Sequence, residues 1–148
     1  MNTVKDIINV KGTDVWSVAP QTKVFDALKL MAEKNIGAVL VSENDNVVGI
    51  FSERDYARKV ALEGKSSKEL TVHEIMSPRV LYVTTEKYVD ECMAIMIEKK
   101  IRHLPVYEND KLKGIISIGD VVKALLDHKE FTIEQLEQYI TSSRRNLS

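Results

Sequence analysis

Two segments of this chain carry apolar residues at helical spacing, and each is followed by two short apolar runs. In the first, Val24, Ala27, Leu28 and Met31 follow the i, i+3, i+4, i+7 pattern that lays one stripe along a helix. Asn35-Ile36-Gly37 ends that helix, with Gly37 as the residue that tolerates a left-handed terminal backbone. Residues 38–41 and 47–51 are continuous apolar runs separated by Glu43-Asn44-Asp45-Asn46, a turn composition, so they are predicted to form a hairpin. Ser52 then opens a helix through residue 60. Upstream, residues 15–18 are a short β-prone run closed by Pro20, and residues 4–8 suit a helical turn broken at Lys11-Gly12.

After a polar linker at 64–68, the same programme restarts. Residues 72–76 suit a helical turn ended by Pro78, and 80–83 a short strand. Val89, Cys92, Met93 and Met96 make the second amphipathic stripe, and 104–107 and 112–116 flank the turn Glu108-Asn109-Asp110. The offset of 65 residues, read from Gly49 to Gly114, holds without a gap from Val18 to Ala61. It aligns identical residues at Val24/Val89, Met31/Met96, Ile36/Ile101, Val41/Val106, Asn44/Asn109, Gly49/Gly114, Ser52/Ser117 and Asp55/Asp120. The chain is a duplicated strand-helix-strand-strand-helix unit. One copy alone buries little apolar surface, so the expectation is that two copies pack together and leave a cleft between them for a ligand. The predicted divisions are a first repeat with the N-terminal lead-in over 1–67, a second repeat over 68–130, and a terminal segment over 131–148. In that last segment Thr132-Ile133-Glu134-Gln135 is a capping box before an apolar face of Ile133, Leu136 and Ile140.

The candidate chemistry lies where each second hairpin strand turns into a helix: Gly49-Ile50-Phe51-Ser52-Glu53-Arg54-Asp55 and Gly114-Ile115-Ile116-Ser117-Ile118-Gly119-Asp120. Ser with Asp three residues on is a capping pattern, and capping alone accounts for it. The same geometry also suits a nucleotide. A helix start offers unpaired N–H groups to phosphate, a Ser hydroxyl can donate to phosphate, and an Asp carboxylate can accept from both hydroxyls of a ribose. The copies differ around this pair. Gly37-Ala38 in the first stands where Arg102-His103 stands in the second, and Arg54, Arg58 and Lys59 answer to Gly119, Lys123 and Ala124. With the copies facing each other, Arg102 and His103 would approach the Arg54 helix and make a pocket for an anion. Solvated surface charge is the plain alternative for Arg58 and Lys59.

Composition narrows the classes. At 44% hydrophobic and 29% charged residues, the chain is globular rather than disordered. A net charge of −1 supplies no basic excess for nucleic acid. No apolar run approaches the ~18 residues of a membrane span. The N-terminus lacks the apolar core of a signal peptide, so a reducing cytoplasm is expected. A single cysteine, Cys92, excludes an internal disulfide, and its place on the apolar stripe makes it core. His73, His103 and His128 have no metal-ligand spacing. Trp16 fits either the core or the face of a flat base.

Together these residues resemble the CBS domain pair, or Bateman module, over nearly the whole chain. The resemblance rests on Ile75-Met76-Ser77, on Ile101-Arg102-His103-Leu104-Pro105-Val106, and on the two Gly-h-h-Ser-x-x-Asp corners, where h is apolar. It implies a mixed α/β (α+β) fold of tandem β-α-β-β-α repeats packed with pseudo-two-fold symmetry, and a homodimer. It implies adenosine-containing ligands (AMP, ADP, ATP, NAD-type dinucleotides or S-adenosylmethionine) and no catalytic cofactor. On this resemblance Asp120 and Asp55 would hold ribose hydroxyls, and Ser117 and Ser52 would contact phosphate or ribose. Ile101, Arg102, His103 and Leu104, or Ile36, Gly37 and Ala38, would edge the adenine. Arg54, Arg58 and His103 are the inferred phosphate contacts. The family's Pro in the second strand is Pro105 in the second copy but Leu40 in the first, which sets the first site apart.

The expected function is a non-catalytic regulatory module that binds an adenosyl ligand and signals to a partner protein. A structural dimerisation module whose corners are only caps is the alternative. An enzyme is the third reading, and no base, nucleophile or metal constellation supports it.

Overall fold

The computed structural model describes residues 2–128. The predicted terminal helix after residue 131 lies outside the described residues. Packing divides the described residues into two compact units: 15–81 form one, and 2–14 with 82–128 form the other.

In the 15–81 unit, β1 (Ser17–Val18) leads through α2 (Val24–Lys34) to β2 (Ala38–Glu43) and β3 (Asn46–Ser52). The three strands lie in the order β1-β2-β3, with β1 parallel and β3 antiparallel to β2. The hairpin turns on Asn44 and Asp45, with φ of 53° and 65°. Positive φ at both central residues is what a two-residue turn matched to strand twist requires, and Asn and Asp tolerate it. After Ser52 come α3 (Glu53–Tyr56), a π-helical turn at Ala57–Ala61, and the short α4 (Val72–Ile75). Val24, Ala27 and Met31 meet Val39, Val41, Phe51 and Val60 in the core. The period of 3.6 on the helix and of two on the strands therefore converges on one apolar face.

The other unit repeats this with β4 (Val83–Thr84), α5 (Val89–Lys99), β5 (His103–Glu108), β6 (Lys111–Ser117) and α6 (Ile118–His128), in the order β4-β5-β6. Its hairpin turns on Asn109 and Asp110, again at positive φ. One difference follows from a single residue. In the first sheet, the Leu40 N–H donates to the Trp16 carbonyl and β1 pairs from Ser17↔Leu40 onward. Pro105 stands at the matching position without an N–H, and the parallel pairing begins one step later, at Val83↔Val106.

The packing division departs from the division read from the sequence. The N-terminal helix α1 (Val4–Lys11) belongs to the unit of the second repeat, not the first. Val4, Ile7 and Ile8 are buried against Val83, Val89, Leu104 and Ile116. The Val4 N–H donates to the Lys87 carbonyl and the Lys5 N–H to the Thr85 carbonyl. In the same way α4 serves the first repeat: Val72 and Ile75 join its core, and the Val72 N–H donates to the Thr22 carbonyl. Each repeat is completed by the helix that precedes the other repeat in sequence. Burying one such Val or Ile side chain stabilises by about 1.5–3 kcal/mol, which a lead-in of this length could not gain alone.

The glycines of the two corners are explained by these helices. A Cβ on Gly49 would collide with the Met76 sulfur and stand 3.1 Å from the Ser77 carbonyl oxygen. A Cβ on Gly114 would come within 2.8 Å of Ile8 Cδ1. Both keep the strand bare where a lead-in helix crosses it. A further expectation is corrected: α2 ends at Asn35, which takes the left-handed conformation at φ 53°, and Gly37 is not at positive φ. Lys100 does the same after α5, at φ 56°. Asn adopts this backbone at low cost, so Gly37 is not needed for it.

Candidate functional site

Both corners are stitched to the mouth of the preceding strand by the same pair of contacts. Ala38 faces Ser52 and His103 faces Ser117 across the hairpins. The Glu53 N–H donates to the Gly37 carbonyl at 3.0 Å, and the Ile118 N–H to the Arg102 carbonyl at 2.8 Å. The structure therefore gathers Ile36, Gly37 and Ala38 beside Ser52 and Asp55 in one unit. It gathers Ile101, Arg102, His103 and Leu104 beside Ser117 and Asp120 in the other. Leu104 is fully buried and supports this mouth from the core side.

The capping reading of Ser-x-x-Asp is realised in both copies. The Ser52 N–H donates to Asp55 Oδ2 at 2.9 Å and the Asp55 N–H to Ser52 Oγ at 3.1 Å. The Ser117 N–H donates to Asp120 Oδ2 at 2.8 Å and the Asp120 N–H to Ser117 Oγ at 3.2 Å. Each box satisfies two amides that a helix start leaves unpaired. It also fixes a carboxylate at a helix N-terminus, where the helix dipole favours a negative charge.

The two carboxylates are neutralised differently, and the sequence did not foretell how. Asp55 meets Lys59, one turn along its own helical stretch, at 3.3 Å on Oδ1. Lys59 also donates to the Ile75 carbonyl at 3.1 Å, which ties the π-helical turn to α4. Arg54 and Arg58 lie on the exposed side of this stretch. Asp120 instead meets Lys11, from the end of α1, at 2.6 Å on Oδ2. Lys11 donates as well to the carbonyl of Ile115 on β6, at 2.8 Å. Counted from the equivalent helix starts Val4 and Val72, the matching position in the first copy is Arg79, and Ala124 stands where Lys59 does. No pattern in the sequence pairs Lys11 with Asp120, because the lead-in helix docks on the distant repeat.

Burial pushes the Asp120 carboxyl up, but the hydrogen bonds from Lys11 and Ser117 outweigh it and hold the group below the usual carboxylate range. His103 is held below the usual imidazole range, by burial first and then by the Lys11 charge, with Arg102 adding to it and Asp120 opposing it. The second corner is thus a compact set of two cations, one carboxylate and an imidazole biased to the neutral form.

Cys92 is fully buried, and burial pushes its thiol up to about 11. Trp16 is partly exposed, and Lys34 Nζ lies 4.1 Å from the centre of its ring. Among the described residues, no group of three or more His, Cys, Asp or Glu side chains could hold a metal ion. No helix among them is long and apolar enough to cross a membrane.

Comparison with known proteins decides the family. The CBS domain family model matches residues 4–62 and 72–127. The chain belongs to the CBS domain family. It is a CBS pair, the architecture of a regulatory module, with a mixed α+β fold. It is 36% identical over 148 residues to the mitochondrial CBS domain-containing protein CBSX3 of Arabidopsis thaliana, which covers 93% of this chain and 71% of the relative. A solved CBS-domain protein of Burkholderia ambifaria MC40-6 is 49% identical, with a TM-score of 0.83 over 89% of this chain and 99% of that one. The CBS domain pair of protein MJ0100, solved in complex with 5′-methylthioadenosine and S-adenosyl-L-methionine, shares the fold. Its identity is 23% and its TM-score 0.72, over 84% of this chain and 99% of that one.

Proposed function

We propose that this CBS pair is a non-catalytic sensor of adenosine-containing ligands, which bind at its Ser-x-x-Asp corners and bias its interaction with a partner protein. The observation that carries this reading is the second corner. There a strand mouth and a helix start are stitched together, and Lys11, Arg102, His103 and Asp120 converge in one small region. In this reading Asp120 and Asp55 accept from ribose hydroxyls, and Ser117 and Ser52 contact ribose or phosphate. Ile101 to Leu104 and Ile36 to Ala38 edge the base, and Arg54, Arg58 and His103 take phosphate. A carboxylate already serving as a cap can still accept a hydroxyl, since each carboxylate offers about four lone-pair sites. The adenosyl compounds bound by the MJ0100 pair show what this fold can hold in that protein.

The proposal includes a homodimer, supported by apolar side chains exposed on helices, Phe25 on α2 and Ile97 on α5. It places the protein in a reducing cytoplasm, which the buried thiol of Cys92 fits. Thermal unfolding with AMP, ATP, NAD and S-adenosylmethionine tests the sensor. A ligand at 100 times its Kd stabilises the folded state by about 2.7 kcal/mol. No shift with any of them returns the corners to plain caps on a dimerisation module. Turnover of ATP or NAD by pure protein contradicts the non-catalytic part.

A further inference from the structure

The geometry points to Lys11 as the residue that makes the second corner selective for phosphorylated adenosine ligands over neutral or sulfonium ones. This rests on the adenosyl-ligand reading and adds to it the charge class of the ligand and the side chain that selects it.

Lys11 comes from a helix that precedes the first repeat, 109 residues from Asp120 in the chain, yet its ammonium is held at this corner by two contacts. An ammonium has three donors. The Ile115 carbonyl and Asp120 Oδ2 take two, so a third can serve an incoming anion. The Lys11 ammonium and the Ser117 N–H both reach the Asp120 carboxylate at Oδ2, and the Ser117 hydroxyl also bonds to this carboxylate. Lys11 is on Oδ2, so a ribose hydroxyl can be accepted at Oδ1 while the ammonium stays in place. The Lys11 side chain is 37% exposed, enough for a ligand to reach it.

The surrounding charge favours an anion. Lys11 and Arg102 both act on His103, and among the described residues Asp120 is the carboxylate acting with them. With a neutral imidazole, the four groups sum to one positive charge. AMP, with its phosphate, gains from such a site. Methylthioadenosine has no charge to offer it, and S-adenosylmethionine brings a sulfonium beside two cations. The first copy is built differently: Met76 answers to Ile8 against the corner glycine, Arg79 stands at the position of Lys11, and Asp55 is met by Lys59, which is also bound to the Ile75 carbonyl.

Calorimetric titration of the full chain with AMP, adenosine and S-adenosylmethionine tests this, in the wild type and in Lys11→Met, Lys11→Gln and Lys11→Arg. Methionine keeps an unbranched stem of similar length and a high helix propensity while removing the ammonium. Wild type is expected to prefer AMP to adenosine by about tenfold or more, the worth of one charge-assisted hydrogen bond. Lys11→Met and Lys11→Gln should lose most of that preference while keeping adenosine affinity within about threefold, and Lys11→Arg should retain it. An AMP-to-adenosine ratio unchanged in Lys11→Met overturns the role of Lys11 and leaves the ligand reading standing. Wild-type binding of S-adenosylmethionine as tight as AMP also overturns it. If none of the three binds wild type, this inference falls, and the ligand reading falls with it when ATP and NAD also fail to bind.

Discussion

The Lys11 ammonium and Asp120 Oδ2 lie 2.6 Å apart, and this contact fastens the N-terminal helix to the corner of the second repeat. It predicts a pH signature. The Asp120 carboxyl is held below its unfolded value, so the stability it contributes is fully present above the unfolded carboxylate range and is lost as pH falls through the lowered folded value. Lys11→Met removes one of the groups that lower it. The variant should lose about 0.5–1 kcal/mol at pH 7, since a partly exposed ion pair is worth no more. The deficit should shrink as pH falls below about 4 and both proteins protonate the carboxyl. Urea unfolding at pH 7 and pH 3 checks this; an equal deficit at both contradicts it.

Ile8 carries the exchange of lead-in helices. It is buried among Val83, Val89, Leu104 and Ile116, so Ile8→Ala should cost about 2–5 kcal/mol. The loss should fall on one unit. Amide exchange should accelerate across β5, β6 and α5 before it does across β2, β3 and α2. Loss of protection confined to the first repeat would show that α1 belongs where the linear order suggests.

Gly49 and Gly114 occupy equivalent corners but are not equally replaceable. At Gly49 a methyl group meets the Met76 side chain and the fixed Ser77 carbonyl, while at Gly114 it meets the mobile tip of Ile8. Gly49→Ala should destabilise by about 1–3 kcal/mol, the usual cost of overpacking, and Gly114→Ala by less. Thermal midpoints of the two variants make the comparison, and a larger loss at Gly114 contradicts it.

Cys92 should be inert in the folded protein. Its thiol is pushed up to about 11, above the unfolded value, so the neutral form favours folding below the unfolded pKa. That contribution is lost as pH rises through the folded value. A disulfide reagent at pH 8 should label it only after denaturant is added. Rapid labelling without denaturant would mean that α5 opens locally.

Much of the fold was legible because each signal was local. The stripe Val24-Ala27-Leu28-Met31 and the turn at Asn44-Asp45 depend on neighbours in sequence, and both recur at the 65-residue offset. Ser52 with Asp55 and Ser117 with Asp120 were legible as caps for the same reason. Lys11 was not, because its contact with Asp120 depends on which repeat α1 docks against, and Gly12 reads only as the end of a helix. The π-helical turn at Ala57–Ala61 was missed as well. It has the same apolar spacing over one turn as the α-helix that was expected there.

The central claim is that an adenosine ligand sits at the Ser-x-x-Asp corners, and amide chemical shifts of the full chain test it most directly. On titration with AMP, the account predicts saturable shifts at Arg102, His103 and residues 117–120, with His103 becoming easier to protonate as phosphate approaches. Amides at these positions and at residues 52–55 that stay unmoved at saturating AMP, ATP, NAD and S-adenosylmethionine would contradict it.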